Sequence, residues 1–266
     1  MFKTRLLSGI VLVILIAAAL IPGGYVTLAA MLIISYIGVF ELLRVYGLET
    51  RPIGWVSYVA TGVLYVLLAC DWGAYVLPLI IAFIIVLLGV YVFAYPSYTD
   101  KEVMVALFSF MYVALMLSYV YRIRQLANGG ALVVMVFICS WVNDTLAYCA
   151  GVTMGKHKMS PKLSPKKSIE GLIGGLLGSF LVGLGYGFFF AKQVEAIDHA
   201  PIIFAVAGLL GAAVSVIGDL AASAIKRNND IKDYGTLIPG HGGILDRFDS
   251  IIITAPIVYY CFAYML

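Results

Sequence analysis

Long apolar segments follow one another from end to end of this chain, with short polar breaks between them. Each is about 20 residues long, which is enough for an α-helix to cross a hydrocarbon core of about 30 Å. Only 12% of the residues are charged, whereas a soluble domain carries about 25%. The segments are continuously apolar and do not alternate, which argues against a membrane β-barrel. The sequence therefore predicts an all-α, polytopic integral membrane protein.

Hydropathy predicts about nine transmembrane helices. They cover approximately residues 6–21, 25–45, 55–70, 74–95, 103–121, 130–153, 170–190, 202–226 and 249–266. Lysine and arginine are concentrated in alternate loops, most of all in 155–168, as is typical of cytoplasmic loops. This predicts an N-in, C-out orientation. We expect residues 1–266 to form one membrane domain. In it, 1–121 would provide lipid contacts, packing and a candidate dimer surface, and 130–266 would provide the chemistry-bearing helices and cytoplasmic loops.

Cysteine usage and net charge exclude other classes of protein. The four cysteines form no C-x-x-C pair, so neither a disulfide framework nor a zinc site is indicated. The net charge of +3 is small and scattered along the chain. We therefore expect no nucleic acid among the partners.

Glycines crowd the predicted span 170–190 at small-xxx-small spacings. They are Gly171, Gly174, Gly175, Gly178, Gly183, Gly185 and Gly187. Such spacing allows two helices to approach closely in lipid. Gly183, Gly185 and Gly187 lie inside the span with no strand before them, whereas a phosphate-binding glycine loop would follow a strand. They therefore predict a helix-packing face.

A first group of candidate functional residues lies at the end of the span 202–226. It consists of Asp219, Ser223, Lys226 and Arg227. If the helix continues through Arg227, their spacing places them on one face. Charge beside an apolar run is costly and needs a reason. One carboxylate, one hydroxyl and two cations would then point into the same crevice.

A second group begins the last span, where Asp246, Asp249 and Ser250 lie at i, i+3 and i+4. Carboxylates on two facing helices suit Mg²⁺, and cations such as Arg247 suit the phosphates that the metal bridges. The alternative is that these charges only pair with one another and hold two helices together. The preceding segment 239–243 favours a ligand, because its glycines allow close backbone approach. Its amides lead into a helix N-terminus, which is a natural anion site.

Two upstream segments complete the set. Asp144 is an acid inside the sixth predicted span, and an intramembrane acid is a functional candidate by default. The alternative is a buried carboxyl bonded to a neighbouring helix. In the basic loop 155–168, Lys166 and Lys167 suit a polyphosphate, and Ser168 is placed to cap the next helix. The other lysines of this loop suit anionic lipid headgroups.

The order of these residues resembles the signature of the phosphatidate cytidylyltransferases, also called CDP-diacylglycerol synthases. The resemblance rests on Ser223-x-x-Lys226-Arg227, Lys232-Asp233 and Pro239-x-His241-Gly242-Gly243-x-x-Asp246-Arg247-x-Asp249. The segment around Asp144 and the segment Ser164-Pro165-Lys166-Lys167-Ser168-x-Glu170-Gly171 also resemble motifs of that family. The C-terminal half is covered tightly, whereas the N-terminal spans match only in hydropathy and number.

This resemblance implies the reaction CTP + phosphatidate → CDP-diacylglycerol + pyrophosphate. It implies Mg²⁺ as cofactor, with room for a second cation. The lipid phosphate would attack the α-phosphorus of CTP in a crevice that faces the cytoplasm, in the inner membrane of a bacterial cell. The implied partners are CTP, phosphatidate and membrane lipid, and the glycine-rich helices permit a homodimer.

The resemblance also implies roles for single residues. The favoured metal ligands are Asp219 and Asp246, with Asp144 and Asp249 as further candidates. The expected catalytic residues are Asp219, Asp246, Lys226, Lys167 and His241. The expected substrate contacts are Ser223, Arg227, Arg247, Lys166, Gly242, Gly243 and Ser168. His241 would either donate to the leaving pyrophosphate or orient its loop, and the sequence leaves both roles open.

Two alternatives stay open at this point. The first is the same chemistry on another lipid phosphate, such as an ether-linked isoprenoid phosphate, because motifs do not encode the shape of the groove for the lipid tail. The second is a transporter whose intramembrane charges line an ion path. A transporter predicts inverted repeats and broken helices, and the sequence has no such symmetry. The choice between CTP and dCTP, the number of metal ions and the oligomeric state are not encoded in the motifs.

Overall fold

The computed structural model describes residues 2–190 and 199–265, with side chains for 6–190 and 199–264. The helices are α1 (Phe2–Leu20), α2 (Gly24–Val45), α3 (Pro52–Ala69), α4 (Val76–Phe93), α5 (Asp100–Phe108), α6 (Met116–Gln125), α7 (Gly129–Leu132), α8 (Val134–Phe137), α9 (Asn143–Met154), α10 (Ile169–Phe190), α11 (Ala200–Asn228) and α12 (Leu245–Met265). Two π-helical segments, Ser109–Leu115 and Ile138–Val142, join α5 to α6 and α8 to α9. The break between the predicted spans 170–190 and 202–226 lies largely outside the described residues.

Seven helical segments in the described part of the chain are long and apolar enough to cross a membrane. They are Gly24–Val45, Pro52–Ala69, Gly73–Phe93, Asp100–Gln125, Gly129–Met154, Ile169–Phe190 and Ala200–Asn228. The first predicted span is a shorter apolar helix, Leu6–Leu20, and the ninth corresponds to α12. The all-α membrane class is confirmed, whereas the count of nine spans and the N-in, C-out orientation stay predictions.

The chain divides into two compact units. The first unit takes Met1–Tyr121 together with Asp233–Arg247, and the second takes Arg122–Lys232 together with Phe248–Leu266. The segment Asp233–Arg247 thus belongs with the N-terminal helices, although it follows α11 in the chain. One membrane domain over 1–266 stays a prediction.

The first unit has its core between α2, α3 and the π-helical segment after α5. Leu42 and Leu64 are fully buried there, and the rings of Phe83 and Phe110 lie 4.7 Å apart. Gly38 of α2 faces this segment, since an added Cβ would lie 2.7 Å from a Val113 methyl. Gly38 also lies close to Leu245, since the same Cβ would be 3.3 Å from a Leu245 methyl.

The second unit is centred on α10, whose glycines form the predicted packing face. Its first half lies against α9, where a Cβ at Gly175 would be 2.5 Å from Asn143 Oδ1. Its second half lies against α11, where a Cβ at Gly183 would be 2.6 Å from the Phe204 carbonyl. The packing prediction is confirmed for six of the seven glycines and is wrong for Gly185, which has no described atom within 4 Å of an added Cβ.

Part of the basic loop before α10 is a small β-hairpin. Strands β1 (Lys158–Ser160) and β2 (Ser164–Ser168) pair antiparallel, with Lys158 opposite Ser168. The sequence analysis predicted a basic loop here and no strand, because short segments that contain proline lack a clear alternating pattern. The hairpin runs directly into α10 and gives its lysines fixed directions.

Candidate active site

Strand β2 separates the roles of its two lysines. Successive side chains of a strand point to opposite faces, so Lys166 and Lys167 diverge. Lys166 is exposed, whereas Lys167 is partly buried and forms an ion pair with Asp219 of α11. The lysine predicted for phosphate and the acid predicted for metal are therefore in direct contact.

Glu170, in the first turn of α10, anchors the other end of the hairpin. Its carboxylate accepts hydrogen bonds from the backbone amides of Lys156 (3.1 Å) and His157 (3.2 Å). The His157 ring also contacts it, with Nδ1 2.6 Å from Oε1. These bonds hold the residues just before the hairpin against the first turn of α10. The direction of Lys167 is thus set by two fixed ends of one short loop.

Ser168 caps α10, as the sequence predicted. Its Oγ accepts a hydrogen bond of 3.1 Å from the Gly171 amide, three residues on. The residue is 7% exposed, and a Cβ at Gly155 would lie 2.8 Å from its hydroxyl. Its observed role is to start α10 and to hold the hairpin against α9, while its predicted role as a substrate contact stays a prediction.

Helix α11 continues through Asn228, which meets the condition for a shared face of the first candidate group. Asp219, Ser223 and Lys226 are partly buried, and Arg227 is exposed. The acid, the hydroxyl and the nearer cation therefore lie along one side of the helix, with a second cation at its end. This arrangement can present both signs of charge to a ligand.

Asp249 lies beside this face of α11. It is 8% exposed, and its Oδ1 accepts a hydrogen bond of 2.7 Å from the Ser250 amide. Gly218 permits the contact, because an added Cβ there would be 2.7 Å from the Asp249 carbonyl. The charges of Asp219, Lys226 and Asp144 all act on the Asp249 carboxylate. The second unit therefore brings together acids from α9, α11 and α12.

Asp144 follows the π-helical segment Ile138–Val142 and is exposed. Such segments often occur at functional sites. The alternative of a buried carboxyl is wrong, because Asp144 is exposed and is not enclosed by the protein. Its charge acts on the Asp249 carboxylate, so the two acids interact electrostatically.

Carboxylate oxygens are the hard donors that Mg²⁺ prefers. Among the described residues, no group of three or more acids, histidines or cysteines lies within reach of one metal ion. The donor type of Asp144, Asp219 and Asp249 fits Mg²⁺, and the Lys167 contact holds Asp219 in this arrangement. A metal there would require that contact to change.

The segment Asp233–Arg247 in the first unit departs from the predicted anion site. Glu41 of α2 accepts hydrogen bonds from the Ile244 amide (3.0 Å) and the Leu245 amide (2.8 Å). Asp246 Oδ2 accepts one from the Gly243 amide at 2.9 Å. The amides at the start of α12 are therefore bonded to the protein's own carboxylates. Binding of a substrate anion at this segment stays a prediction, and it would require these intramolecular bonds to change.

The glycines of this segment make room for those carboxylates. An added Cβ at Gly242, which has φ of +90°, would lie 2.7 Å from Asp246 Oδ2. One at Gly243 would lie 2.6 Å from Glu41 Oε2. Asp246 also accepts a 2.7 Å bond from the Tyr234 amide. The close approach that the glycines allow is thus intramolecular, and substrate contact by Gly242 and Gly243 stays a prediction.

His241 is held by α1 and by α12. Ser8 Oγ donates to the Pro239 carbonyl (3.0 Å) and lies 2.7 Å from His241 Nδ1. Arg247 Nε donates to the His241 carbonyl at 3.1 Å. These contacts fit the loop-orienting role, and the role in pyrophosphate release stays a prediction.

Glu41 is a residue that the sequence reasoning missed. It is an acid within the predicted span 25–45 and is 3% exposed. The rule that singled out Asp144, an acid inside an apolar run, would have found it. Its partners, however, lie 203 and 204 residues away in the chain, and no local pattern names them.

Comparison with known proteins decides the class to which this chain belongs. The cytidylyltransferase family matches residues 3–265. This chain belongs to the cytidylyltransferase family. Phosphatidate cytidylyltransferases of Staphylococcus saprophyticus and Staphylococcus aureus are each 33% identical to it, over 261 and 263 residues, which cover 96% of this chain and 97% of each relative. That of Staphylococcus epidermidis is 32% identical over 261 residues, with the same coverage. The protein is therefore an enzyme, a nucleotidyltransferase.

Family membership confirms the resemblance found in the motifs and extends it to the N-terminal helices. In this cytidylyltransferase the candidate residues fall in both units. Asp144, Lys167, Asp219, Lys226 and Asp249 belong to the second unit, whereas His241, Asp246 and Arg247 belong to the first. The use of Asp219 and Asp246 as joint metal ligands stays a prediction.

Proposed function

We propose that this cytidylyltransferase transfers the cytidylyl group of CTP to phosphatidate and forms CDP-diacylglycerol and pyrophosphate. The observation that carries the proposal is the mixed-charge group of the second unit, in which Lys167 contacts Asp219 and the charge of Lys226 acts on the Asp249 carboxylate. Cations of this kind bind phosphates, and acids of this kind bind the metal that phosphates require. The names of the staphylococcal relatives support the same lipid substrate.

In the reaction, an oxygen of the phosphatidate phosphate attacks the α-phosphorus of CTP. The new bond joins that oxygen to the α-phosphorus, and the bond between the α-phosphorus and the bridging oxygen to the β-phosphorus breaks. Pyrophosphate leaves with that oxygen and its electron pair. Both substrates carry negative charge, so the enzyme must hold them together in line and neutralise the charge that develops.

The residues of the second unit divide this work. Lys167, released from Asp219, would contact a phosphate of CTP, and Lys226 and Arg227 would neutralise the leaving pyrophosphate. Asp219 and Asp249, with Asp144, would hold Mg²⁺, which neutralises phosphate charge when it is bound. A second cation is compatible with this number of acids.

The remaining residues of the motifs would assist from nearby positions. Ser223 follows Asp219 by one helical turn and would donate to a phosphate oxygen. Lys166 is exposed on the hairpin and would meet the lipid phosphate or the end of the triphosphate. We place the reaction on the cytoplasmic face of a bacterial inner membrane, because CTP is available there.

The test is a direct assay of the purified protein in detergent. CTP and Mg²⁺ are supplied with phosphatidate or with an ether-linked isoprenoid phosphate, and pyrophosphate and the CDP-lipid are measured. We expect turnover with phosphatidate that is lost in Asp219→Asn and kept in Asp230→Asn, an exposed acid beyond the end of α11. Turnover with the isoprenoid phosphate alone would show that this lipid, and not phosphatidate, is the substrate. If neither lipid gave pyrophosphate release, the proposal would be refuted.

A further inference from the structure

Helix α2 holds both ends of the segment Asp233–Arg247. Near its C-terminus, Glu41 accepts the two hydrogen bonds from the amides of Ile244 and Leu245. One turn further on, Arg44 donates to the Tyr234 carbonyl at 2.8 Å. All of these residues lie in the first compact unit. One face of a single helix thus fixes the start of α12 and the start of the segment that precedes it.

The segment is shaped to accept the Glu41 carboxylate. A Cβ at Gly235 would lie 3.1 Å from Glu41 Cδ, and one at Gly243 would lie 2.6 Å from Oε2. Glycine at both positions is what allows the backbone to close around this side chain. The segment and the acid, more than 190 residues apart in sequence, are therefore matched to each other.

A side chain with two acceptor oxygens suits this position better than an amide would. A buried charge is costly unless hydrogen bonds and nearby charge compensate it. Two amide N–H groups do so here, and the positive end of the α12 dipole adds to them. A glutamine would offer one oxygen and one N–H₂ group, so one of the two amides would face a donor and lose its partner.

The next two residues of α12 are candidate functional residues, predicted as a metal ligand and as a substrate contact. Asp246 and Arg247 follow Leu245 directly, so their backbone positions depend on how the start of α12 is held. Asp246 bonds back to the Gly243 amide, and Arg247 bonds to the His241 carbonyl. A shift at Ile244 and Leu245 would move all of these groups together.

We propose that Glu41 is a positioning residue for cytidylyl transfer, which acts by fixing the start of α12 and touches neither substrate. The inference rests on the proposed function for its kinetic consequence, whereas its structural part does not. In this arrangement the amides of Ile244 and Leu245 donate to Glu41. Those two amides are then not available to a phosphate while Glu41 holds them.

The test uses Glu41→Gln and Glu41→Asp in the full chain. Amide exchange is followed by mass spectrometry in detergent, and kinetics are measured with CTP and phosphatidate. In Glu41→Gln we expect exchange at Ile244 and Leu245 to rise about tenfold or more, since one buried N–H loses its partner. We expect kcat to fall about tenfold or more with KM for CTP changed less than about threefold, as is typical of lost positioning.

Two further variants make the test selective. Glu41→Asp keeps the charge and shortens the reach, so we expect it to fold and to fall between wild type and Glu41→Gln in both readouts. Ser35→Ala is the matched control, because Ser35 is a buried polar residue of the same helix whose Oγ lies 2.7 Å from Tyr65 Oη, away from the segment. It should leave exchange at Ile244 and Leu245 and kcat unchanged.

Several results would overturn the proposal. Wild-type exchange and kcat in Glu41→Asp and Glu41→Gln would do so, and Glu41→Asp alone decides if Glu41→Gln does not fold. A raised KM for CTP with unchanged kcat would also do so, because it would make Glu41 part of substrate binding. If wild type forms no CDP-lipid, the proposed function fails, while the exchange measurement still decides whether Glu41 fixes the start of α12.

Discussion

Lys167 and Asp219 form an ion pair that joins the hairpin before α10 to the face of α11. Each partner has a second use, since the lysine suits a phosphate and the acid suits a metal ion. Two interpretations of the same contact therefore compete. In one the pair only fastens the hairpin, and in the other its two charges separate to bind substrate and metal.

A charge swap distinguishes these interpretations. We expect Asp219→Asn to lower kcat about 100-fold or more, because a charged oxygen ligand of the metal ion is replaced by a neutral one. The double variant Lys167→Asp with Asp219→Lys restores an ion pair of the opposite sense, and we expect it to remain as inactive as the single variant. Melting temperatures should differ little, since partly exposed pairs (27% and 29%) contribute about 0–1 kcal/mol. Recovery of activity in the double variant would show that the ion pair has only a structural role in holding the hairpin.

Asp249→Asn tests the metal assignment. The Ser250 amide can still donate to the asparagine oxygen, so the fold of α12 should persist. We expect the Mg²⁺ concentration for half-maximal activity to rise about tenfold or more, because an oxygen donor with negative charge is replaced by a neutral one. The measurement is initial rate against Mg²⁺ at saturating CTP, with Asp230→Asn as control. An unchanged Mg²⁺ profile would remove Asp249 from the metal site.

The helices could be predicted from the sequence because their signals are local. Hydropathy over about 20 residues locates a span wherever it packs, and spacings of three or four residues locate a face such as that of Gly171 and Gly175. The cap at Ser168 could be predicted for the same reason, since donor and acceptor are three residues apart. These parts of the structure depend little on the rest of the fold.

The start of α12 could not be predicted in this way. The glycines at 242 and 243 and the helix N-terminus read locally as an anion site, and an anion is indeed bound there, but it is Glu41 from α2. A long-range partner competes with a substrate for the same amides, and local spacing carries no information about it. The packing prediction was wrong for Gly185 because a partner is missing. Its spacing fits the packing face, but no described atom lies within 4 Å of an added Cβ.

The Glu170 anchor of the hairpin predicts a selective effect on nucleotide binding. In Glu170→Gln the amides of Lys156 and His157 lose a charged acceptor, and charge-assisted bonds are about twice as strong as neutral ones. A looser hairpin directs Lys167 less well, so we expect KM for CTP to rise about threefold to tenfold with little change in melting temperature. The assay is initial rate against CTP at fixed phosphatidate.

His157→Ala is the graded comparison for that variant. The His157 side chain is 74% exposed, and such an exposed pair contributes little to stability. The alanine variant keeps the backbone bond from residue 157 to Glu170. We therefore expect KM for CTP to change less than about threefold. An effect as large as that of Glu170→Gln would show that the ring, rather than the backbone clamp, holds the hairpin.

The glycine face of α10 supplies a matched pair of variants on one helix. Gly175→Ala would place a methyl group 2.5 Å from Asn143 Oδ1, and such overpacking costs about 1–3 kcal/mol. Gly185→Ala meets no described atom within 4 Å, and alanine is favoured over glycine in a helix by about 1 kcal/mol. We therefore expect unfolding in detergent to occur at lower temperature in the first variant and at an equal or higher temperature in the second. Because Asn143 precedes Asp144, Gly175→Ala should also lower kcat, whereas Gly185→Ala should not. Equal melting temperatures and equal kcat in the two variants would contradict this prediction. They would mean that α9 can shift away from the added methyl group without moving Asp144.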